Sequence, residues 1–342
     1  MELDELRERI SALAGSSIVR VEPIASGGNS DAYCAIAGDG GRFFCKRYST
    51  ALPEGGDRLA KEFSALSLLA AHDIRQVPRP IACDGAAGLA VYEYIDGVPV
   101  RAEGISDADV EAAAGFLRTL LRIPRDVLEP AAEAFFSFEE VAENIRWRVA
   151  RFEDSAVEGN RAAAARRFLH EALAPALDAV LAWGEVYLRE TELSLSRPIP
   201  EAARVPSPSD FGFHNAIRTP DDGLVFVDFE YFGVDDPAKT ISDFLWHPAM
   251  TLWEDQKRLF VARVLEGMPE PELLAKRLPV AYPLFGLKWC LIVLNAFLPG
   301  ARVRRTVPAA ALEAVEDERL EKARAFLRRV LEEYKEFPYS VA

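Results

Sequence analysis

Polar side chains that could act together in catalysis lie within one short stretch of the sequence. Asp210 and Asn215 belong to one run, 210–215, and Asp228 follows thirteen residues after Asn215. A carboxylate can orient or deprotonate a hydroxyl group, and carboxylate and amide oxygens are the hard ligands that Mg²⁺ prefers. The Asp-x₄-Asn spacing taken alone equally fits an ordinary turn, so both interpretations stay open at this point.

Asp228 is the more informative of these residues because it follows the apolar run 224–227. A carboxylate at the end of a buried strand is costly unless it is paired or bound to a metal ion. The run 219–223 is rich in turn residues and predicts a hairpin between strands 215–218 and 224–227. This hairpin would bring Asp228 close to the loop that precedes it.

Further candidate residues lie in the N-terminal part of the chain. Gly27 and Gly28 separate two predicted strands, where they would suit either a plain hairpin turn or backbone amides that approach phosphate groups. Lys46 lies in a strand and could equally point to solvent. Glu62 follows on a predicted helix, sixteen residues later, where most glutamates are solvated.

Periodicity and turn residues predict a change of architecture near residue 97. Before it we expect one helix, 57–71, and strands at 17–21, 32–36, 42–48 and 89–94. After it the pattern is mostly helical, with helices predicted from 106 to 122, 137 to 152, 160 to 189 with a kink at Pro175, 254 to 266, 271 to 297 in pieces, and 309 to 335.

Composition excludes several classes of function. The 342 residues include 40 basic and 54 acidic side chains, a net charge of −14, which argues against a nucleic-acid or membrane-surface binder because both partners are polyanions. Four scattered cysteines and an acidic N-terminus without an apolar core favour a cytoplasmic protein without a disulfide framework. The apolar run 278–299 is expected to be a buried core helix broken early by Pro279 and Pro283.

Taken in order along the chain, these features resemble the aminoglycoside phosphotransferase and choline kinase group, over roughly residues 17–295. The resemblance implies an α+β, protein-kinase-like bilobal fold. Its N-terminal lobe, 1–97, is small, antiparallel and β-rich with one helix, and ends in a hinge at 92–97. The larger, mostly helical C-terminal lobe, 98–342, carries the catalytic loop and the acceptor site.

The same resemblance implies a role for each candidate residue. The nucleotide-binding positions are Gly27, Gly28, Asn29, Ser30, Lys46, its partner Glu62, and the hinge backbones of Glu93 and Ile95. The catalytic residue is Asp210, and the magnesium ligands are Asn215 and Asp228.

The implied activity is ATP-dependent transfer of a phosphoryl group to a hydroxyl of a small molecule, such as an aminoglycoside, amino alcohol or sugar, with Mg²⁺ as cofactor. The family commonly has His-Gly before the catalytic aspartate, whereas this chain has Pro208-Ser209. This departure supports an alternative, a nucleotide-binding pseudokinase that senses or scaffolds. The sequence indicates neither the acceptor, the oligomeric state, nor a preference between ATP and GTP.

Overall fold

The N-terminal part of the protein is built around an antiparallel sheet. The structure, a computed structural model, describes residues 3–26, 30–48, 58–155, 157–299, 301 and 308–340. The first elements are α1 (Leu3–Ala14), β1 (Ile18–Ser26), β2 (Ser30–Ala37), β3 (Arg42–Tyr48), α2 (Arg58–Ala71), β4 (Pro80–Asp84) and β5 (Leu89–Glu93). The strands are ordered β1-β2-β3-β5-β4, and every neighbouring pair is antiparallel.

Helix α1 was not predicted from the sequence, whereas α2 was. The reason is its polar composition: within α1, Leu6 and Ile10 are the buried residues. Their spacing of four puts them on one face, and they pack with Ile18, Ala35 and Val91 of the sheet. A helix with so narrow an apolar stripe is stabilised by this tertiary packing more than by its own sequence.

The rest of the chain is mostly helical, and the predicted α+β class is confirmed. Its elements are β6 (Val98–Pro99), α3 (Asp107–Leu120), α4 (Phe138–Glu153), α5 (Asn160–Phe168), α6 (Ala174–Glu190), β7 (Val205–Ser207), β8 (Ala216–Arg218), β9 (Leu224–Phe226), β10 (Gly233–Asp235), α7 (Pro237–Trp246), α8 (Glu254–Leu265), α9 (Pro271–Leu294) and α10 (Ala309–Glu333). Ser106 and Ser137 begin α3 and α4 with capping boxes. A π-helical turn, Leu169–Leu173, leads directly into α6, and Pro175 is the second residue of α6.

The prediction that 271–297 is helical only in pieces is wrong, because α9 continues through Pro279 and Pro283. Packing of α9 against α4, α6, α7 and α10 outweighs the hydrogen bonds that the prolines remove. By length and composition the described segment Pro271–Phe297 is also apolar enough to cross a membrane, but 89% of its apolar window is buried inside the protein. This is the pattern of a core helix.

Two compact units make up the chain, and both are discontinuous in sequence. The first consists of Met1–Ala134, Val205–Val234 and Ala249–Phe260, and the second of Phe135–Arg204, Asp235–Pro248 and Val261–Ala342. All candidate residues named from the sequence fall in the first unit, and the candidate site is therefore described within it. The division into lobes at residues 97 and 98 stays a prediction.

Candidate active site

Lys46 is a buried cation held between two carboxylates. Its Nζ lies 2.7 Å from Glu62 Oε2 and 2.6 Å from Asp228 Oδ1. On β3 it is paired with Ala32 of β2 and Ala90 of β5, so small side chains flank it on both neighbouring strands. The alternative of a solvated lysine is excluded, since Lys46 is only 8% exposed.

Glu62, on α2, is equally buried and accepts several hydrogen bonds. Its Oε2 accepts from Lys46 and from the hydroxyl of Tyr48, and its Oε1 accepts from the backbone N–H of Phe229 at 3.4 Å. Burial raises the pKa of Glu62, and the ammonium of Lys46 acts against that rise. Burial alone would lower the pKa of Lys46, but Glu62 and Asp228 outweigh it and raise the pKa, so Lys46 stays charged.

Asp228 reaches Lys46 because the backbone turns sharply after β9. The φ angle of Asp228 is +70°, in the left-handed region that residues other than glycine rarely adopt. The predicted hairpin of β8 and β9 forms, with Ala216 paired to Phe226. At its open end the N–H of Val227 donates to the carbonyl of Asn215 at 2.9 Å. Asn215 and Asp228 are therefore brought side by side across the base of the hairpin.

The loop before β8 holds Asp210 and Asn215 together. The Asn215 side-chain amide donates to the backbone carbonyl of Asp210 at 3.1 Å, and the His214 Nε2 lies 3.1 Å from Asp210 Oδ1. At Gly212 the backbone is crowded, because an added Cβ would lie 2.8 Å from both His214 Nδ1 and Met250 Sδ. Packing and hydrogen bonds thus limit the freedom of the Asp210 carboxylate.

The departure from the family pattern at Pro208-Ser209 is accommodated locally. Ser209 has a φ of +67°, the conformation that glycine adopts most easily. Its Oγ donates to the carbonyl of Ala132 at 3.2 Å, and its N–H donates to the Oγ of Ser207 at 3.1 Å. These serine hydroxyls hold the loop where the common pattern has histidine and glycine.

Aromatic packing supports both stretches that carry the candidate residues. Phe211 and Phe229, each directly after a candidate aspartate, contact Phe116 of α3 with ring centroids 5.9 Å and 6.2 Å away. Phe226 of β9 stacks on Phe116 at 4.5 Å. The residues that directly follow Asp210 and Asp228 therefore pack on one buried aromatic cluster.

The segment after β5 pairs with the hairpin of β8 and β9. Strand β6 pairs with β8, and Gly97 approaches it so closely that an added Cβ would lie 2.3 Å from the Arg218 carbonyl oxygen. The N–H of Glu93 donates to the Arg79 carbonyl at 2.8 Å. Ile95 is half-buried in the extended stretch that follows.

The Gly-rich turn is described only at one end. Gly27, Gly28 and Asn29 lie outside the described residues, and Ser30 begins β2, where it pairs with Tyr48. The nucleotide-binding roles assigned to these residues stay predictions.

Several residues of this region were not found from the sequence. Tyr48 follows Lys46 by two positions in a strand and therefore shares its face, which is a signal that could have been used. Arg58, at the start of α2, lies 3.0 Å from the buried Glu230, two residues after Asp228. That ion pair spans 172 residues of sequence, and no local pattern predicts it.

Family comparison decides the assignment. The model of the phosphotransferase enzyme family (APH) matches residues 20–274, three quarters of the chain, including every candidate residue. The chain belongs to this family. Comparison with curated proteins gives no match.

Similarity to solved structures of a phosphotransferase and of choline kinases confirms the protein-kinase-like fold. A spectinomycin phosphotransferase in complex with ADP and spectinomycin is 14% identical, with a TM-score of 0.65 over 95% of this chain and 98% of its own. Choline kinase from Cryptosporidium parvum is 13% identical, with a TM-score of 0.65 over 98% of this chain and 96% of its own. Choline kinase from Streptococcus pneumoniae is 16% identical, with a TM-score of 0.59 over 95% and 98%. At such identities the likeness concerns the fold.

Proposed function

We propose that this family member is an ATP-dependent small-molecule kinase that transfers the γ-phosphoryl group of Mg-ATP to a hydroxyl. The observation that carries the proposal is Lys46, buried and charged between Glu62 and Asp228. A lysine fixed in this way offers a cation at a defined point, which suits the phosphates of a nucleotide.

In this proposal the N-terminal sheet binds the nucleotide. Lys46, steered by Glu62, contacts the α- and β-phosphates, and the 27–30 turn covers them with backbone amides. The carbonyl of Glu93 and the N–H of Ile95 pair with the edge of the adenine. The Glu93 N–H already donates to the Arg79 carbonyl, so in this proposal Glu93 contributes its carbonyl and not its N–H.

Asn215 and Asp228 would hold the magnesium ion. Their donor atoms fit it, since an amide oxygen and a carboxylate are hard oxygen ligands. The Asn215 amide nitrogen is engaged by Asp210, so its Oδ1 is the atom left for a metal. Magnesium, when bound, would neutralise negative charge on the transferred phosphoryl group.

Asp210 would accept or orient the proton of the acceptor hydroxyl. His214 and Asn215 hold it in place, so the carboxylate meets the hydroxyl with little reorganisation. General-base help of this kind contributes roughly 10²–10⁴-fold in rate. Positioning and electrostatic stabilisation supply the remainder.

The acceptor belongs to the class of small hydroxyl compounds: an aminoglycoside, an amino alcohol or a sugar-like molecule. The structural neighbours support this range, because they include a complex with spectinomycin and several choline kinases. We propose cytoplasmic ATP as the donor, given the cysteine usage.

A thermal-shift screen followed by a transfer assay tests the proposal. The protein is mixed with Mg²⁺ and a non-hydrolysable ATP analogue, alone and with aminoglycosides, amino alcohols and sugars. We expect the analogue to raise the melting temperature, one acceptor class to raise it further, and ATP with that acceptor to yield its phosphate ester. Nucleotide binding without transfer to any metabolite would favour the pseudokinase, and absence of nucleotide binding would refute both functions.

A further inference from the structure

A chain of buried hydroxyls leads from β5 to the ion pair of Lys46. Tyr48 donates to Glu62 Oε2, the same oxygen that accepts from Lys46. The hydroxyl oxygens of Tyr48 and Tyr92 lie 3.1 Å apart. All four side chains are buried, so water does not substitute for these contacts.

The direction of this chain follows from hydrogen-bond chemistry. An ionised carboxylate only accepts, and a tyrosine hydroxyl has one hydrogen to donate. Because Tyr48 donates its one hydroxyl hydrogen to Glu62, the hydrogen bond between the two tyrosines must be donated by Tyr92. Burial and the charge of Glu62 raise the pKa of both tyrosines, so both hydroxyls keep their protons and the direction is stable.

The geometry of β3 explains why Tyr48 can reach this position. Lys46 and Tyr48 are two residues apart in a strand, so both side chains leave the same face of the sheet. Tyr92 precedes Glu93, the first of the two hinge residues whose backbones are predicted to bind adenine. The chain of hydroxyls therefore connects the strand that leads to the adenine segment with the lysine that would bind the phosphates.

We propose that Tyr48 is a positioning residue for nucleotide binding: its hydroxyl, oriented by Tyr92, fixes the Glu62 carboxylate and through it the ammonium of Lys46. Without Tyr48, Oε2 of Glu62 keeps Lys46 as its partner but loses the donor that restricts its rotation. The contact of Glu62 with Lys46 is then less well fixed than the contact of Asp228, so the ammonium is no longer held at one point between the two carboxylates. This inference rests on the proposed function, because it concerns the same nucleotide site.

The test uses the full-length protein and Mg-ADP as the probe. Isothermal titration calorimetry compares the wild type with Tyr48→Phe, Tyr92→Phe and the control Tyr33→Phe. Tyr33 lies on β2 opposite Cys45, on the other face of the sheet from Lys46. We expect Tyr48→Phe to weaken Mg-ADP binding by about 3–10-fold, Tyr92→Phe to weaken it by less, and Tyr33→Phe to leave it unchanged.

Steady-state kinetics separates positioning from mere stability. If Tyr48→Phe weakens ATP binding equally in the ground state and the transition state, KM for ATP rises and kcat stays nearly unchanged. Partial unfolding would instead lower kcat in proportion to the folded fraction and leave KM alone. A crystal structure of nucleotide-free Tyr48→Phe should show Glu62 in a changed or mixed position, with Lys46 still contacting Asp228.

The outcomes distinguish this inference from the proposed function. If the wild type binds Mg-ADP and Tyr48→Phe binds it equally well, with Glu62 unmoved, the positioning role is refuted and the kinase proposal stands. If the wild type binds no nucleotide, both are refuted. Should Tyr48→Phe fail to fold, Tyr92→Phe tests the same chain of hydroxyls from its other end, and normal affinity in that variant overturns the proposal.

Discussion

The ammonium nitrogen of Lys46 lies 2.6 Å from Asp228 Oδ1, although 182 residues separate the two in the chain. Glu62, which is 16 residues away from Lys46 in sequence, contacts the same nitrogen at 2.7 Å. A β-strand, a helix and a hairpin thus meet at one buried charge. Bringing residues so distant in sequence together costs loop-closure entropy. The contact therefore forms only when the first unit is folded.

Replacing this lysine is expected to damage both binding and stability. Lys46→Met leaves Glu62 buried without its cation, and breaking a buried pair from one side costs about 3–5 kcal/mol of unfolding free energy. Mg-ADP affinity should fall at least ~10-fold, since charge-assisted hydrogen bonds are worth about 1.5–3 kcal/mol. Calorimetry and urea denaturation measure both effects. Lys61→Met, at an exposed position of α2, is the matched control, and equal behaviour of the two variants would contradict the role of Lys46.

Asp210→Asn should separate catalysis from binding. We expect kcat for acceptor phosphorylation to fall by roughly 10²–10⁴-fold, because the amide cannot accept the hydroxyl proton. Mg-ADP affinity should stay within about twofold, since the Asp210 side chain makes its hydrogen bonds with His214 and Asn215. Asp126→Asn, at an exposed position of the same unit, is the control. Full activity of Asp210→Asn would remove Asp210 from the mechanism.

Gly97→Ala tests the pairing of β6 with β8. A Cβ at this position would lie 2.3 Å from the Arg218 carbonyl oxygen and 2.7 Å from Ile217 Cγ2, so the strands must separate. We expect a loss of about 1–3 kcal/mol in unfolding free energy and weaker Mg-ADP binding, because the adjacent hinge segment shifts. At Gly85 an added Cβ meets no atom within 4 Å, and Gly85→Ala should therefore behave as wild type. Identical melting temperatures for the two variants would refute this packing argument.

The second unit should show a pH-dependent contribution from Asp235. Burial raises the pKa of Asp235 to about 6, even though Lys239 Nζ lies 2.9 Å away. Between about pH 4 and pH 6 the folded state therefore holds a proton that the unfolded chain has released. Unfolding free energy from this group falls as the pH rises through that window, by about 2–3 kcal/mol in total.

Urea denaturation of Asp235→Asn and wild type across this range isolates the contribution. As the pH rises from about 4 to about 7, the unfolding free energy of the wild type should fall relative to that of Asp235→Asn. Asp178→Asn, at an exposed position of α6, should show no such shift. A constant difference between Asp235→Asn and wild type would show that Asp235 is ionised in the folded protein throughout.

Local sequence patterns were sufficient for part of the site. Alternation and turn residues predicted β3 with Lys46 and the hairpin before Asp228, because these features depend on neighbours in sequence. The ion pair of Arg58 with Glu230 depends instead on how α2 approaches the chain 172 residues later. The left-handed backbone of Asp228 is likewise set by tertiary contacts, since aspartate has no strong local preference for it.

Three aromatic residues of the second unit illustrate the same limit. By helical spacing Trp246, Tyr282 and Trp289 fit a pocket lining as well as a core, and in the structure all three are buried. Trp246 stacks on Tyr282 at 4.8 Å, and the indole N–H of Trp289 donates to Asp243 at 2.9 Å. Helical spacing alone gave no means of choosing, because a core residue and a pocket residue can occupy the same helix face.

The two prolines within α9 have a consequence for how the second unit assembles. A helix that lacks the N–H groups of Pro279 and Pro283 is a poor helix on its own, so little of it would persist in the unfolded chain. In the folded unit it is stabilised by packing against α7 and α10. We therefore expect the secondary and tertiary structure of this unit to form together, without α9 forming first as an isolated helix. We expect the second unit to unfold in one cooperative transition.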